Sequence, residues 1–283
     1  MPRKRPIIAL LYDFDKTLCT KDMQEYTFIP EVNMTAEKFW EEANKLAKKE
    51  QMDRILAYMY LMIKKSRSAE RSIQKKSFVS LGKDVEFFPG VTEWFARINQ
   101  FGWEKGVEVQ HYIISSGLKE IIQGSSIAKE FKEIFACQFH YDVDGIADWP
   151  LMVVNYTTKT QYLFRINKGA LDMSDDRTVN EYVEKDVRPI PFRNMIYIGD
   201  GFTDVPCMKL VHVNGGKSIA VYDKNKETAE TLLAQDRIHY LAKADYRDGS
   251  ELDELIRHCI SEMAETSYLA EKTRKQKEQI KRK

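Results

Sequence analysis

The chain lacks the features that would place it in a membrane, in a disulfide framework or on a charged partner. No apolar run reaches the roughly 18 residues that a membrane-spanning helix requires, so no membrane partner is expected. Lysine and arginine number 44 against 43 aspartate and glutamate. With neither sign in excess, no global field gathers nucleic acid or an acidic surface. The four cysteines, Cys19, Cys137, Cys207 and Cys259, form no Cys-x-x-Cys pair and have no zinc-type histidine spacing. They read as reduced thiols of a cytoplasmic protein rather than a disulfide frame or a zinc site. No internal repeat is present. Arg3, Lys4 and Arg5 ahead of an apolar run mimic a secretory leader, but the run is short and meets Asp13 without a small-residue cleavage site, so no leader is expected.

What is present begins with residues 7–18, IIALLYDFDKTL. Ile7, Ile8, Ala9, Leu10 and Leu11 are continuous rather than alternating, as in a strand buried on both faces of a parallel sheet. The run leads to Asp13 and Asp15, which share a face at i and i+2. Two acids so close at the end of a buried strand repel each other unless a cation or a proton intervenes. The bland alternative is an acidic turn with Thr17 as a helix cap.

Residues 19–88 turn helical. Thr35 can cap a helix with Ala36, Phe39, Trp40, Ala43, Leu46 and Ala47 on one stripe. A second helix from Asp53 is expected to turn Ile55, Leu56, Met59, Tyr60 and Ile63 inward, and 68–79 is a weaker third. This block is expected to be an inserted helical cap, the alternative being padding on the sheet. Phe87-Phe88-Pro89-Gly90 punctuates the return to the core. Val91, Trp94, Phe95 and Ile98 mark a helix, 109–114 a buried strand ending in Ser115-Ser116-Gly117, and 118–122 and 127–135 two further helices. Asp144-Gly145 reads as a hairpin between 137–143 and 146–154. Lys159 opens a helix, where a cation opposes the helix dipole, a hint that it holds an anionic group. Lys168, at that helix's end, is the alternative. Residues 172–188 are polar. A strand over 193–198 runs into Gly199-Asp200-Gly201-Phe202-Thr203-Asp204, followed by short strands at 218–222 and 238–242 and a helix over 251–265. The lysine-rich stretch 271–283 reads as a frayed helix or disorder.

The expected fold is α/β, a doubly wound, mostly parallel sheet with a small α-helical cap. Its parts are a core of 1–18 and 89–265, a cap of 19–88 and a basic tail of 266–283. Ligands of such sheets bind beyond the carboxyl ends of the strands, where these acids, the small hydroxyls and the lysine would converge. Carboxylates together with groups for phosphate oxygens match the needs of Mg²⁺.

Asp13-Phe14-Asp15-Lys16-Thr17-Leu18, then Ser115, Lys159 and Gly199-Asp200-Gly201-x-x-Asp204, resemble the four ordered motifs of the haloacid dehalogenase-like hydrolase superfamily. The resemblance covers about residues 6–244 and is nearest to the phosphoserine phosphatase-like members, through Phe88-Pro89-Gly90 and Gly199-Asp200-Gly201. It implies a Mg²⁺-dependent phosphatase of a small phosphorylated metabolite. Asp13 would be the nucleophile that becomes an aspartyl phosphate, and Asp15 the general acid and base. Ser115, Ser116, Gly117 and Lys159 would hold the phosphoryl group, with Thr17 orienting the loop. The metal would lie among Asp13, Asp200 and the backbone carbonyl of Asp15, with Asp204 supporting its shell or Lys159. Asp22 stands where serine-phosphate members carry a longer acid, and no cap arginine is evident beyond the candidates Arg71, Lys75 and Lys76. A dehalogenase would have no use for Asp15, and a P-type cation pump needs membrane spans. A phosphotransferase or mutase on the same core, distinguished by transfer to added alcohols, and a catalytically inactive binding protein are the competing readings.

Overall fold

The computed structural model describes residues 5–70 and 73–281. Arg71, one candidate for a cap arginine, lies outside them, as do Arg3 and Lys4. The centre of the fold is β1 (Ile7–Tyr12), whose residues 8–12 are fully buried. Five helices follow it: α1 (Met23–Tyr26), α2 (Phe28–Glu31), α3 (Ala36–Glu50), α4 (Arg54–Ser68) and α5 (Lys75–Leu81). Next come α6 (Val91–Glu104), β2 (Glu108–Leu118), α7 (Lys119–Gly124) and a hairpin of β3 (Phe131–Tyr141) and β4 (Ala147–Met152). The chain continues through α8 (Lys159–Lys168), α9 (Asp176–Asn180), β5 (Met195–Gly199), α10 (Val205–Val213) and β6 (Lys217–Tyr222). It ends with α11 (Glu227–Ala234), β7 (Tyr240–Lys243) and α12 (Glu251–Lys281).

The seven strands are ordered β4-β3-β2-β1-β5-β6-β7, all parallel except β4, which runs antiparallel to β3. The sheet grows outward from β1 through β2 and β3, then restarts on the other side with β5. Helices α6 and α12 pack together, as do α8 and α10, in the doubly wound arrangement. The crevice where strand order reverses therefore lies between β1 and β5, the usual ligand position in such sheets. Tyr12 is paired with Ile113 on one side and Ile198 on the other, so β1 and β5 end close together while β2 runs on to Leu118.

Local chemistry accounts for most of the elements. Thr35 caps α3 by accepting from the Lys38 amide, and Asp53 caps α4 by accepting from Ile55 and Leu56. Phe39, Ala43 and Ala47 form the buried stripe of α3. In α4 the buried side is broader and rotated from the expected one: Ala57, Tyr58, Met59, Leu61 and Met62 are buried while Tyr60 is 51% exposed. The helical block's core is continuous with that of the sheet. Its last turn abuts α7 backbone to backbone: a Cβ on Gly124 would stand 1.7 Å from the Val79 carbonyl oxygen, and one on Gly82 2.2 Å from that of Ile121. Only glycine tolerates this approach.

Elsewhere the structure departs from, or adds to, the expected elements. Residues 127–135 are not a helix: a single 3-10 turn at Ala128–Glu130 leads into β3, whose Ile134, Phe135 and Ala136 are buried in the sheet beside β2. Helices α10 and α11, unforeseen, fill the crossovers between β5, β6 and β7. Of the two readings of 271–283, frayed helix or disorder, the structure has helix as far as residue 281: α12 is one helix of 31 residues. Its exposed end carries the i,i+4 pairs Lys275–Glu271 and Arg274–Glu278, which support solvated helix.

Candidate active site

Asp13 directly follows β1, and its amide donates to the Ile198 carbonyl at 2.9 Å, which fastens it beside the end of β5. From β5 the chain turns at once into Asp200 and then Asp204. One carboxylate oxygen from each of Asp13, Asp200 and Asp204 lies within 4.8 Å of the others. Lys159, fully buried at the start of α8, has its Nζ 2.7 Å from Asp204 Oδ1 and 3.1 Å from Asp13 Oδ1. The Tyr197 hydroxyl also donates to Asp204 Oδ1, at 2.8 Å. Asp204 Oδ2 is buried with no hydrogen-bond partner among the described residues. A Cβ on Gly199 would come within 2.4 Å of that oxygen, so glycine lets the strand end lie against the acid.

Asp15 stands outside the three-carboxylate group. Its Oδ1 accepts from the Met23 amide at 2.8 Å, at the entrance to α1. Ser115, Ser116 and Gly117 sit within β2, not after it, where the pairing with β3 shifts register between Ile114 and Leu118. The irregularity turns the backbone out of the ladder as bulges beside active sites do. Ser115 is buried and its Oγ accepts from the Gly117 amide at 3.0 Å. Thr17 is buried, its hydroxyl has no partner among the described residues, and its carbonyl accepts from Tyr246 Oη. Lys168 is held elsewhere, donating to the carbonyls of Val179 and Glu181 at 2.7 and 2.6 Å. Lys75 is exposed, its Nζ over the Tyr141 ring. Asp22 is paired with Lys16 at 2.7 Å, and Glu25 accepts from Trp40 Nε1.

The electrostatics follow from packing several acids around one lysine. Burial, then Asp204, push the Asp13 carboxyl up to about 6 despite Lys159. Burial, then Asp204 and Asp13, raise Asp200 well above the carboxylate range. Burial, then Asp22 and Asp13, do the same for Asp15. Burial works against the charge on Lys159, but Asp13 and Asp204 outweigh it and hold the ammonium more firmly than in water. The site has more negative charge than the protein compensates. An all-oxygen donor set with an orphaned buried carboxylate oxygen fits a hard divalent cation.

Comparison with known proteins gives the family and the fold. Residues 8–260 match the family described as "Putative Phosphatase". The chain belongs to that family. A relative from Borreliella burgdorferi, described as an uncharacterized protein, is 29% identical over 279 residues, covering 89% of this chain and 96% of its own. Among solved structures, a HAD family hydrolase from Salmonella enterica serovar Typhi superposes with a TM-score of 0.58 at 18% identity, over 90% of this chain and 72% of its own. A phosphoserine phosphatase carrying an analogue of the phospho-aspartyl intermediate gives 0.54 at 14% identity, over 90% and 99%. A substrate-bound phosphoserine phosphatase also gives 0.54 at 14%, over 91% and 99%. The fold is thus that of haloacid dehalogenase-like phosphatases, and family and fold together support hydrolase chemistry.

The sequence reading missed three groups near the site. Tyr197 passed for one more apolar strand residue, although a buried tyrosine hydroxyl demands a partner. Tyr58, on α4, donates to the Ser116 carbonyl at 2.7 Å. Asn155 donates from Nδ2 to Asp53 Oδ2 at 2.9 Å. The last two span 58 and 102 residues of chain and leave no local pattern.

Proposed function

We propose that this protein is a Mg²⁺-dependent phosphatase that hydrolyses a small-molecule phosphomonoester through an aspartyl phosphate on Asp13. The observation that carries the reading is the arrangement of Asp13, Asp200 and Asp204 about the buried Lys159 at the crevice between β1 and β5. An Asp13 carboxylate oxygen attacks phosphorus, and the bond from phosphorus to the ester oxygen breaks. Asp15 is two residues along, outside the carboxylate group; its Oδ1 is held by the Met23 amide, and Oδ2 is the oxygen that carries the proton. It gives that proton to the departing alkoxide. It then takes one from water, which attacks phosphorus and releases Asp13 and inorganic phosphate. Lys159 neutralises phosphoryl oxygens, and the Ser115–Gly117 segment offers hydroxyls and backbone amides to them. Mg²⁺ held by Asp13, Asp200 and the Asp15 carbonyl, with Asp204 beside it, would supply the positive charge that lets an anionic nucleophile approach an anionic phosphate.

We assign residues 19–88 as a cap over this crevice, supported by the contacts of Met23 with Asp15 and of Tyr58 with Ser116. The four free, buried cysteines favour a cytoplasmic setting. The test is phosphate release from a panel of phosphorylated metabolites with and without Mg²⁺, followed by acid quench with labelled substrate. Label on the peptide containing Asp13 is the expected result. Absence of release from every ester, or label elsewhere, would overturn the reading.

A further inference from the structure

One helix of the block, α4, reaches both segments assigned above to the phosphoryl group. Through Tyr58 it touches the irregular stretch of β2. Through Asp53 it touches the turn that precedes Lys159. Asp53 divides its carboxylate: Oδ1 caps α4 by accepting from Ile55 and Leu56, and Oδ2 accepts from Asn155 Nδ2. Asn155 divides its amide in the same way. Its Oδ1 accepts from the Thr157 and Thr158 amides at 3.0 and 2.8 Å and from the Thr157 hydroxyl. Its backbone carbonyl accepts from the Lys159 amide at 2.9 Å. Asn155 therefore builds the turn that opens α8, and its remaining NH₂ crosses to the helical block. An aspartate would shape that turn equally well. The amide NH₂ is needed only for the crossing.

We infer that Asn155 is a positioning residue that makes the placement of Lys159 depend on the docking of the helical block. The inference rests on the phosphoryl-binding role proposed for Lys159. Tyr156 and Thr157 are exposed, so the turn has little packing of its own. The bond to a carboxylate is the firm attachment on its outer side, and hydrogen bonds to charged groups are the stronger kind. With the block docked, Asp53 holds Asn155, Asn155 holds the Lys159 amide, and the ammonium is set between Asp13 and Asp204. With the block displaced, the turn loses that attachment, and the lysine is placed less firmly.

Asparagine and aspartate are interchangeable both as helix caps and as turn residues, so exchanging them isolates the crossing contact. Asn155→Asp keeps the turn and sets two carboxylates against each other. Asp53→Asn with Asn155→Asp restores an amide-to-carboxylate hydrogen bond with its direction reversed. We expect Asn155→Asp to lower kcat on an alkyl phosphate by about 10- to 100-fold, the scale of a small misplacement of a catalytic group. We expect it to speed amide hydrogen exchange over residues 155–160 by about tenfold through local opening. The double variant should return both measurements to within about threefold of wild type, as a restored pair should. Asn155→Ser, which keeps a turn acceptor and drops the amide, carries the same expectation if Asn155→Asp fails to fold. Unchanged exchange and turnover in the single variant, or a double variant no better than the single, would overturn the inference. Absence of phosphatase activity in the wild type would instead refute the proposed function, and the exchange measurements would still decide whether the tie holds the turn.

Discussion

Asp253 and Asp204 are equally buried, 1% and 0% exposed, yet their surroundings are built on different rules. Asp253, on α12, accepts from Arg97 Nε at 3.1 Å, Arg257 Nε at 2.8 Å and the Gly249 amide at 3.3 Å. Both its oxygens are filled, and two guanidinium groups balance it and its exposed neighbour Asp248. Asp204 shares one lysine with Asp13, faces Asp200, and keeps one oxygen without a donor. Asp253 is matched on both oxygens, where an unmatched buried charge would cost several kcal/mol. The acids in the crevice between β1 and β5 are less fully matched, which is what the proposed binding of a cation and a phosphate there requires.

The largest expected effect comes from removing the nucleophile. Asp13→Asn should lower turnover by at least ~10³-fold and abolish acid-stable labelling, since an amide is a poor nucleophile. Measurable label on the variant would transfer the role to another residue. Lys159→Ala should cost about 10²–10³ in kcat, as loss of a pre-placed cation does, whereas Lys168→Ala, already saturated by two carbonyls, should cost little; the reverse ranking in steady-state kinetics would refute the assignment. Asp15→Asn should slow phosphorylation of the enzyme by alkyl phosphates about 10²–10⁴-fold and by p-nitrophenyl phosphate, whose leaving group needs no proton, much less. There the aspartyl phosphate should accumulate, and equal undiminished rates on both esters would count against the division of labour.

Stability measurements sharpen the comparison because the signs oppose. Without Mg²⁺, Asp200→Asn should raise the melting temperature, since burial and two like charges raise this carboxyl's pKa in the fold, so its ionised form disfavours folding at neutral pH. Asp253→Asn should lower stability by about 2 kcal/mol, between the exposed and fully buried limits for an ion pair. Changes of the same sign would dissolve the distinction.

A third buried group is matched but uncharged, and its effect shows only as pH falls. Trp94 donates to the Tyr12 hydroxyl, and His111 lies between Tyr12 and Asn99 at 3.0 Å from each. Burial lowers the His111 pKa to about 3. The unfolded chain takes up this proton near 6.5 and the folded chain does not, so the stabilisation is complete above that pH and declines as pH falls toward 3. Denaturant titrations of His111→Gln should show a shallower loss of stability between those values, by up to about 1.4 kcal/mol per pH unit. An unchanged slope would place the titrating group elsewhere.

Much of this was legible in the chain. Five unbroken apolar residues followed by Asp13 gave the central strand and the crevice together, and the acids at 200 and 204 marked its neighbour. Residues 127–135 were misread because a strand buried on both faces does not alternate, so Ile127, Phe131, Ile134 and Phe135 also fit helical spacing. The buried arc of α4 spans too many positions for a single stripe to locate it. The hydrogen bond between Asp53 and Asn155 is a meeting of distant segments, and no window of sequence contains it.

The glycine contact between α5 and α7 has a mechanical consequence. Val79 and Gly82 lie so close to Ile121 and Gly124 that the end of the helical block is riveted to the helix that follows β2. A side chain at either glycine would push the two helices apart, and α4, which carries the contact of Asp53 with Asn155, belongs to the same block.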